Sequence, residues 1–200
     1  MLRTLSRIAL LALFTAAGAQ AAVSVGQPAP DFSGVDTRGQ THSLSDFAGK
    51  TVVLEWTNHD CPYVVKHYSA GNMQRQQKAA TEEGVIWLSV ISSAPGKQGH
   101  VEPAEADRLT QSRNASPTAV ILDPSGEIGR AYGARTTPHM YVIDGEGVLR
   151  YMGGIDDRPT TRKDDIAGAT QYVEVALAEL AAGQPVSTPV SRPYGCSVKY

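Results

Sequence analysis

The segment that most restricts the fold of this chain is Thr51-Val52-Val53-Leu54-Glu55-Trp56, with Cys61-Pro62 close behind it. The run is mostly apolar and too continuous for a strand with one face in water, so it predicts a strand covered on both sides. Proline suits the first helical position, where its missing N–H would have been unpaired in any case. Cys61-Pro62 therefore predicts a helix start, continuing through Tyr68 to Ala80 with Gly71 as a candidate kink. Val85 to Ile91 reads as a second buried strand, Glu102 to Arg113 as a helix with Leu109 on its apolar side, and Ala119 to Leu122 as a short strand. Asp123-Pro124-Ser125-Gly126 is a turn, and Val25 to Asp46 predicts loops and a short hairpin. Met140–Ile143 and Val148–Tyr151 read as strands joined through Asp144-Gly145-Glu146-Gly147.

A last helix is expected from Ile166, Val173, Leu177 and Leu180, which share one face at a 3.6-residue period. Asp164 and Asp165 would lie at its positive end, and Gly183 would close it. Strands alternating with helices, then a hairpin and a helix, predict one α/β domain with a central mixed β-sheet flanked by helices. Its length of 200 residues, with 42% hydrophobic and 19% charged residues, suits one domain with a real core. From Gln184 to Tyr194 the chain is rich in Pro and Ser, which predicts an extended tail that is no part of the core.

The N-terminus has the pattern of an export signal. Arg3 and Arg7 precede the uncharged apolar run Ile8–Ala17, and Ala19-Gln20-Ala21 puts small residues where a signal peptidase reads them. The run is shorter than the roughly 20 residues a membrane span needs, so cleavage after Ala21 is expected, leaving no stable span. The expected organisation is a signal peptide over 1–21, a domain over 22–183 and a tail over 184–200, in a periplasmic or secreted protein. Whole-chain charge is −2, from 18 basic and 20 acidic residues. No basic stripe is present, which argues against a nucleic-acid partner.

Only two cysteines are present, Cys61 and Cys196, too few for a disulfide-dense miniprotein or an all-cysteine zinc site. In an oxidising compartment such a pair can be a disulfide. Cys61 falls where a buried strand meets a helix, so unpaired N–H groups and the helix dipole favour its reactive thiolate. His59 would add to that effect if protonated, and Asp60 would oppose it. The plainer alternative is a buried structural cysteine.

Three segments resemble redoxin domains, the group of peroxiredoxins and periplasmic thioredoxin-like proteins. Val25-Gly26-Gln27-Pro28-Ala29-Pro30-Asp31-Phe32, with Ser43-Leu44-Ser45-Asp46-Phe47 and Gly49-Lys50, looks like their entrance. Trp56-Thr57-Asn58-His59-Asp60-Cys61-Pro62-Tyr63-Val64 resembles the thioredoxin active-site turn, and Thr136-Thr137-Pro138 the segment carrying that fold's cis-proline. Over residues 25–182 the chain is most similar to the peroxiredoxin-like branch of the thioredoxin superfamily, which implies a thioredoxin-like fold.

The resemblance places Cys61 as the attacking cysteine and puts Val64 where a second cysteine would stand. Pro62, Tyr63, Thr137 and Pro138 would then face substrate, with Pro138 cis and against Cys61. Glu55 falls where thioredoxins bury an acid that helps to move protons, and a solvated carboxylate at a strand edge is its alternative. Peroxiredoxins place Pro and Thr or Ser ahead of their peroxide-reducing cysteine, and this chain does not. Arg135 is a candidate for polarising a peroxide, or else a solvated loop residue. Cys196 offers a replacement partner, since the eleven residues Gln184–Tyr194 can span up to ~35 Å. It would act as a resolving thiol, or else as a permanent staple.

The expected function is thiol–disulfide oxidoreduction, with a protein or small-molecule disulfide as substrate and a thiol as electron donor. The alternatives are a thiol peroxidase acting on peroxide, and a non-enzymatic copper- or partner-binding module, with His59, His67 and His139 weighed as ligands and Cys61, His59 and His139 expected to converge near Pro138. No cofactor is implied, and no recognised metal motif is present.

Overall fold

The computed structural model describes residues 23–200. The expected signal peptide, 1–21, lies outside the described residues. Seven strands form one mixed sheet. In chain order they are β1 (Ser33–Asp36), β2 (Thr41–Ser43), β3 (Val52–Trp56), β4 (Ile86–Ile91), β5 (Ala119–Leu122), β7 (His139–Ile143) and β8 (Leu149–Gly153). Across the sheet the order is β2-β1-β5-β4-β3-β7-β8. β3, β4 and β5 run parallel at the centre, and every other pairing is antiparallel. β6 (Thr136–Thr137) and β9 (Cys196–Ser197) form a separate two-stranded antiparallel pair.

Among the described residues five α-helices flank the sheet: α1 (Pro62–Ser69), α2 (Asn72–Glu82), α3 (Pro103–Ser112), α4 (Glu127–Ala131) and α5 (Tyr172–Ala181). Strand alternation divides the core. Leu54, Trp56, Leu88, Ile121 and Tyr141 pack with Ile128 and Tyr132 on the α4 side. Val53, Trp87, Met140 and Val142 pack with Val64, Tyr68, Met73, Val173 and Ala176 on the side of α1, α2 and α5. The buried aromatic and β-branched strands explain why the runs at 51–56 and 85–91 are apolar without alternation. No described helix is long and apolar enough to cross a membrane.

Four expectations change. The helix read through Ala80 is two helices, because Gly71 takes a left-handed φ of 72° between them, where a side chain would be strained. The last helix starts at Tyr172, not near Ile166. Ile166 lies in a 3-10 turn, Lys163–Gly168, and Asp165 bonds Thr160 and Arg162 there. The 3.6-residue period held by accident across the break. The short helix α4 was not foreseen, since its five residues are too few to show a period.

The tail is the largest correction. It is extended, yet it is stitched to the domain and contributes Tyr194 to the core. Met152 N–H donates to Pro189 O, Ser191 N–H to Met152 O, Val198 N–H to Arg135 O and Ala94 N–H to Lys199 O. At its end the Tyr200 hydroxyl donates to Ala134 O at 2.7 Å, and the Arg130 guanidinium lies 4.6 Å from the ring centre. Gly126 and Gly129 leave the space that this ring fills.

Candidate active site

Cys61 caps the N-terminus of α1, with Pro62 as the first helical residue. The turn before it is built by Asn58, whose Oδ1 accepts the Asp60 N–H at 3.0 Å and whose carbonyl accepts the Cys61 N–H at 3.1 Å. β3 delivers this turn to the end of the sheet, and β7 brings Pro138 alongside, since Trp56 pairs with His139. The Thr137–Pro138 bond is cis, and the Cys61 thiol donates to the Thr137 carbonyl at 3.0 Å.

The tail places the second cysteine in the same spot. Thr137 pairs with Cys196 in the β6–β9 ladder, and the Cys61 and Cys196 sulfurs are 2.6 Å apart. Cys61 is completely buried and Cys196 partly exposed. Burial by itself would push the Cys61 thiol up. The hydrogen bonds from the Cys196 thiol and from the backbone N–H groups of Val64 and Cys196 outweigh it and hold Cys61 below its ordinary value. Burial, together with the neighbouring Cys61, pushes Cys196 up to about 11. The pair is thus unequal, with the readily ionised sulfur inside.

Glu55 is neither solvated nor at a sheet edge. β3 lies inside the sheet and Glu55 is fully buried. Its Oε1 accepts from the Tyr68 hydroxyl at 2.9 Å. Its Oε2 accepts from Gln77 Nε2 at 2.9 Å, Trp87 Nε1 at 2.9 Å and the Ser89 hydroxyl at 3.0 Å. Four donors therefore hold this carboxylate between β3, β4, α1 and α2. None of its hydrogen bonds reaches either sulfur.

The other expected residues divide. Tyr63 is half-buried, its ring edge-on to Tyr194 at 5.7 Å, and Pro62 is exposed at the helix start. Thr137 and Pro138 are buried beneath the tail, and the Thr137 hydroxyl has no partner. Arg135 is exposed and serves the tail through its carbonyl. Among the described residues no group of three His, Cys, Asp or Glu is placed to hold a metal ion. His59 pairs with Asp60 at 3.3 Å. Burial pushes His139 down to about 3 and His67 down to about 4.

The sequence reading missed a buried polar cluster behind the cysteines. Lys66, His67 and Asp156 are fully buried and meet at Tyr194. The Asn72 amide donates to His67 Nδ1 at 2.8 Å, leaving His67 Nε2 to donate to the Tyr194 hydroxyl at 3.1 Å. Tyr194 in turn donates to Asp156 Oδ1. Lys66 Nζ lies 3.5 Å from Asp156 Oδ2 and donates to the Arg158 carbonyl at 2.8 Å. The one available signal was Lys66-His67 in the middle of a helix expected to pack on the sheet.

Comparison with known proteins fits this geometry. The sequence profile of the AhpC/TSA family matches residues 25–152. The chain belongs to the AhpC/TSA family. Within that redoxin group it is 34% identical over 119 residues to the thiol-disulfide oxidoreductase ResA of Geobacillus kaustophilus, an alignment covering 54% of this chain and 68% of that one. The crystal structure of an uncharacterized conserved protein from Geobacillus kaustophilus superposes with a TM-score of 0.74 at 24% identity, covering 88% of this chain and 92% of the other. The thioredoxin domain of a Bacteroides vulgatus thiol-disulfide oxidoreductase superposes with a TM-score of 0.53 at 19% identity, covering 74% of this chain and 98% of that one. This AhpC/TSA chain has a thioredoxin-like fold.

Proposed function

We propose that this chain is an exported thiol–disulfide oxidoreductase in which Cys61 attacks and Cys196 resolves. The observation that carries the reading is the contact of the two sulfurs, 2.6 Å apart at the start of α1 beside the cis Pro138. The ResA relative, a thiol-disulfide oxidoreductase by name, supports the reaction class. The basic and apolar N-terminal segment supports export to the periplasm or beyond, where disulfides persist.

The Cys61 thiolate attacks one sulfur of a substrate disulfide. A Cys61–substrate disulfide forms, and the other substrate sulfur leaves as a thiolate. Cys196 gives up its proton and attacks the Cys61 sulfur. The Cys61–Cys196 bond forms, and the second substrate sulfur leaves. The substrate gains two electrons and the chain loses two; two donor thiols, oxidised to a disulfide, return them. Because Cys61 is completely buried beneath the tail, Cys196 and its strand must swing aside before substrate enters. Thr137 and Pro138 then face the substrate chain. Glu55 acts on the site by fixing α1 to the sheet, through Tyr68 and Gln77.

Incubating the reduced full-length chain with a peptide disulfide tests this reading. Wild type is expected to consume the disulfide and finish with Cys61 and Cys196 joined. Cys61→Ser is expected to leave the disulfide intact. Consumption of the disulfide by Cys61→Ser at the wild-type rate would refute the assignment.

A further inference from the structure

The docked tail is a strand on an enzyme site, and its side chains show what that site accepts. β9 pairs with β6 through Thr136↔Ser197 and Thr137↔Cys196, so the cysteine is held by backbone pairing beside Pro138. Two residues earlier, Tyr194 enters a pocket whose polar groups, Lys66, His67 and Asp156, are all fully buried. Its hydroxyl accepts from His67 Nε2 and donates to Asp156, while its ring is flanked by Tyr63 and by Lys66 Nζ, 5.7 Å from the ring centre. Between these two residues, Gly195 has φ 138°, and a Cβ there would overlap the Thr137 carbonyl. The three positions thus accept a phenol, a residue without a side chain, and a thiol.

The cluster is costly to leave empty. Desolvated polar groups without partners are each destabilising by several-fold factors in an equilibrium. Yet Cys61 becomes reachable only when this strand leaves. Beside the pocket, a cleft of about 530 Å³ lies between Tyr63, Pro159 and Tyr172 on the domain and Arg192, Pro193 and Gly195 of the docked tail.

We infer that the Lys66–His67–Asp156 pocket is a substrate subsite for a tyrosine side chain two residues before the reacting cysteine of a polypeptide disulfide, with the tail's Tyr194-Gly195-Cys196 as its resident occupant. The inference rests on the reading of Cys61 as the attacking thiolate. Tail and substrate then alternate: a polypeptide presenting Tyr-Gly-Cys refills the pocket vacated by Tyr194 while its sulfur reaches Cys61. A small disulfide such as oxidised glutathione leaves the pocket unfilled. Sites built to hydrogen-bond a hydroxyl discriminate strongly against analogues that lack it, because their own polar groups are left unpaired.

The test uses full-length Cys196→Ser, and the same chain with Tyr194→Ala added, both reduced. Each reacts with short peptides whose cysteine is blocked as a mixed disulfide with thionitrobenzoate. The Cys61 thiolate attacks the peptide sulfur, the Cys61–peptide disulfide forms, and coloured thionitrobenzoate leaves. Peptides containing Tyr-Gly-Cys are expected to react at least ~10-fold faster than Phe-Gly-Cys or Ala-Gly-Cys, and faster than Tyr-Ala-Cys. The Tyr194→Ala chain, with its pocket vacant, is expected to react faster than Cys196→Ser alone. Should that double variant not fold, the peptide ranking in Cys196→Ser decides the matter. Rates for the peptides equal within twofold would overturn the subsite while leaving Cys61 as the attacking group. Failure of every peptide to release thionitrobenzoate would overturn the Cys61 reading itself.

Discussion

Glu55 offers the sharpest test of how the site is held together. Replacing it with Ala removes the acceptor for Tyr68, Gln77, Trp87 and Ser89 at once. The Gln77 amide also donates to the Tyr68 oxygen at 3.0 Å, and the Ser89 hydroxyl can rotate. The indole N–H of Trp87, on a ring with no exposure, has no such freedom. The Tyr68 O–H also loses its acceptor. Two orphaned donors at about 1–3 kcal/mol each give a loss of about 2–6 kcal/mol for Glu55→Ala. For a chain of this size that lowers Tm by roughly 5–20 °C. Glu55→Gln keeps one oxygen toward the three donors at Oε2 and turns its NH2 to the Tyr68 oxygen. The Tyr68 O–H still loses its acceptor, at about 1–3 kcal/mol. Thermal unfolding of the two variants is the assay, alongside alkylation of Cys61 in the reduced chain. Glu55→Gln is expected to leave the alkylation rate near wild type. A Glu55→Ala chain as stable as wild type would refute the packing argument. A Glu55→Gln chain of unchanged Tm but with Cys61 reactivity more than tenfold lower would show that the acid moves protons after all.

Other outcomes follow from the same contacts. The Cys61 thiolate should titrate below its ordinary value of 9.0, read from alkylation rate against pH, and Cys196→Ala should move the midpoint up by removing the thiol hydrogen bond. The linked stability has a sign. Cys61, lowered on folding, adds stability to the reduced chain as pH rises toward 9.0 and loses it as pH falls through its folded midpoint. Cys196, raised on folding to about 11, withdraws stability between 9.0 and about 11. Reduced-chain stability is therefore expected to peak near the ordinary thiol value, and a flat profile would contradict the pairing. Lys66→Met should destabilise by about 3–5 kcal/mol in chemical unfolding, because Asp156 is left buried without its cation. Gly195→Ala forces a side chain into a backbone region nearly reserved for glycine, about 1–3 kcal/mol. It should weaken docking of Cys196, seen as faster alkylation of Cys61.

The sheet was legible because Val52–Trp56 and Ile86–Ile91 are apolar apart from Glu55 and Ser89, a continuity that suits interior strands. Cys61-Pro62 marked the start of α1 for an equally local reason, an unpaired N–H that proline lacks. Gly71 was read as a kink in one helix, whereas its left-handed backbone divides two. The tail defeated the reading because its contacts are all distant in sequence. Nothing near Tyr194 announces Asp156, His67 or Lys66, and a Pro/Ser-rich composition says how a segment runs but not what it rests on. Glu55 stood between two readings for the same reason. Its four donors come from α1, α2 and β4, and only the assembled sheet shows that β3 is interior.

The most direct test of the central claim is a single turnover, quenched with acid and mapped by mass spectrometry, of the reduced full-length chain with a peptide disulfide. Wild type is expected to release both substrate thiols and end as Cys61 joined to Cys196. Cys196→Ser is expected to stop after one thiol, with the other half of the peptide held on Cys61. A Cys196→Ser chain that still releases both thiols, or a peptide held on Cys196 in wild type, would contradict the division into attacking and resolving sulfurs.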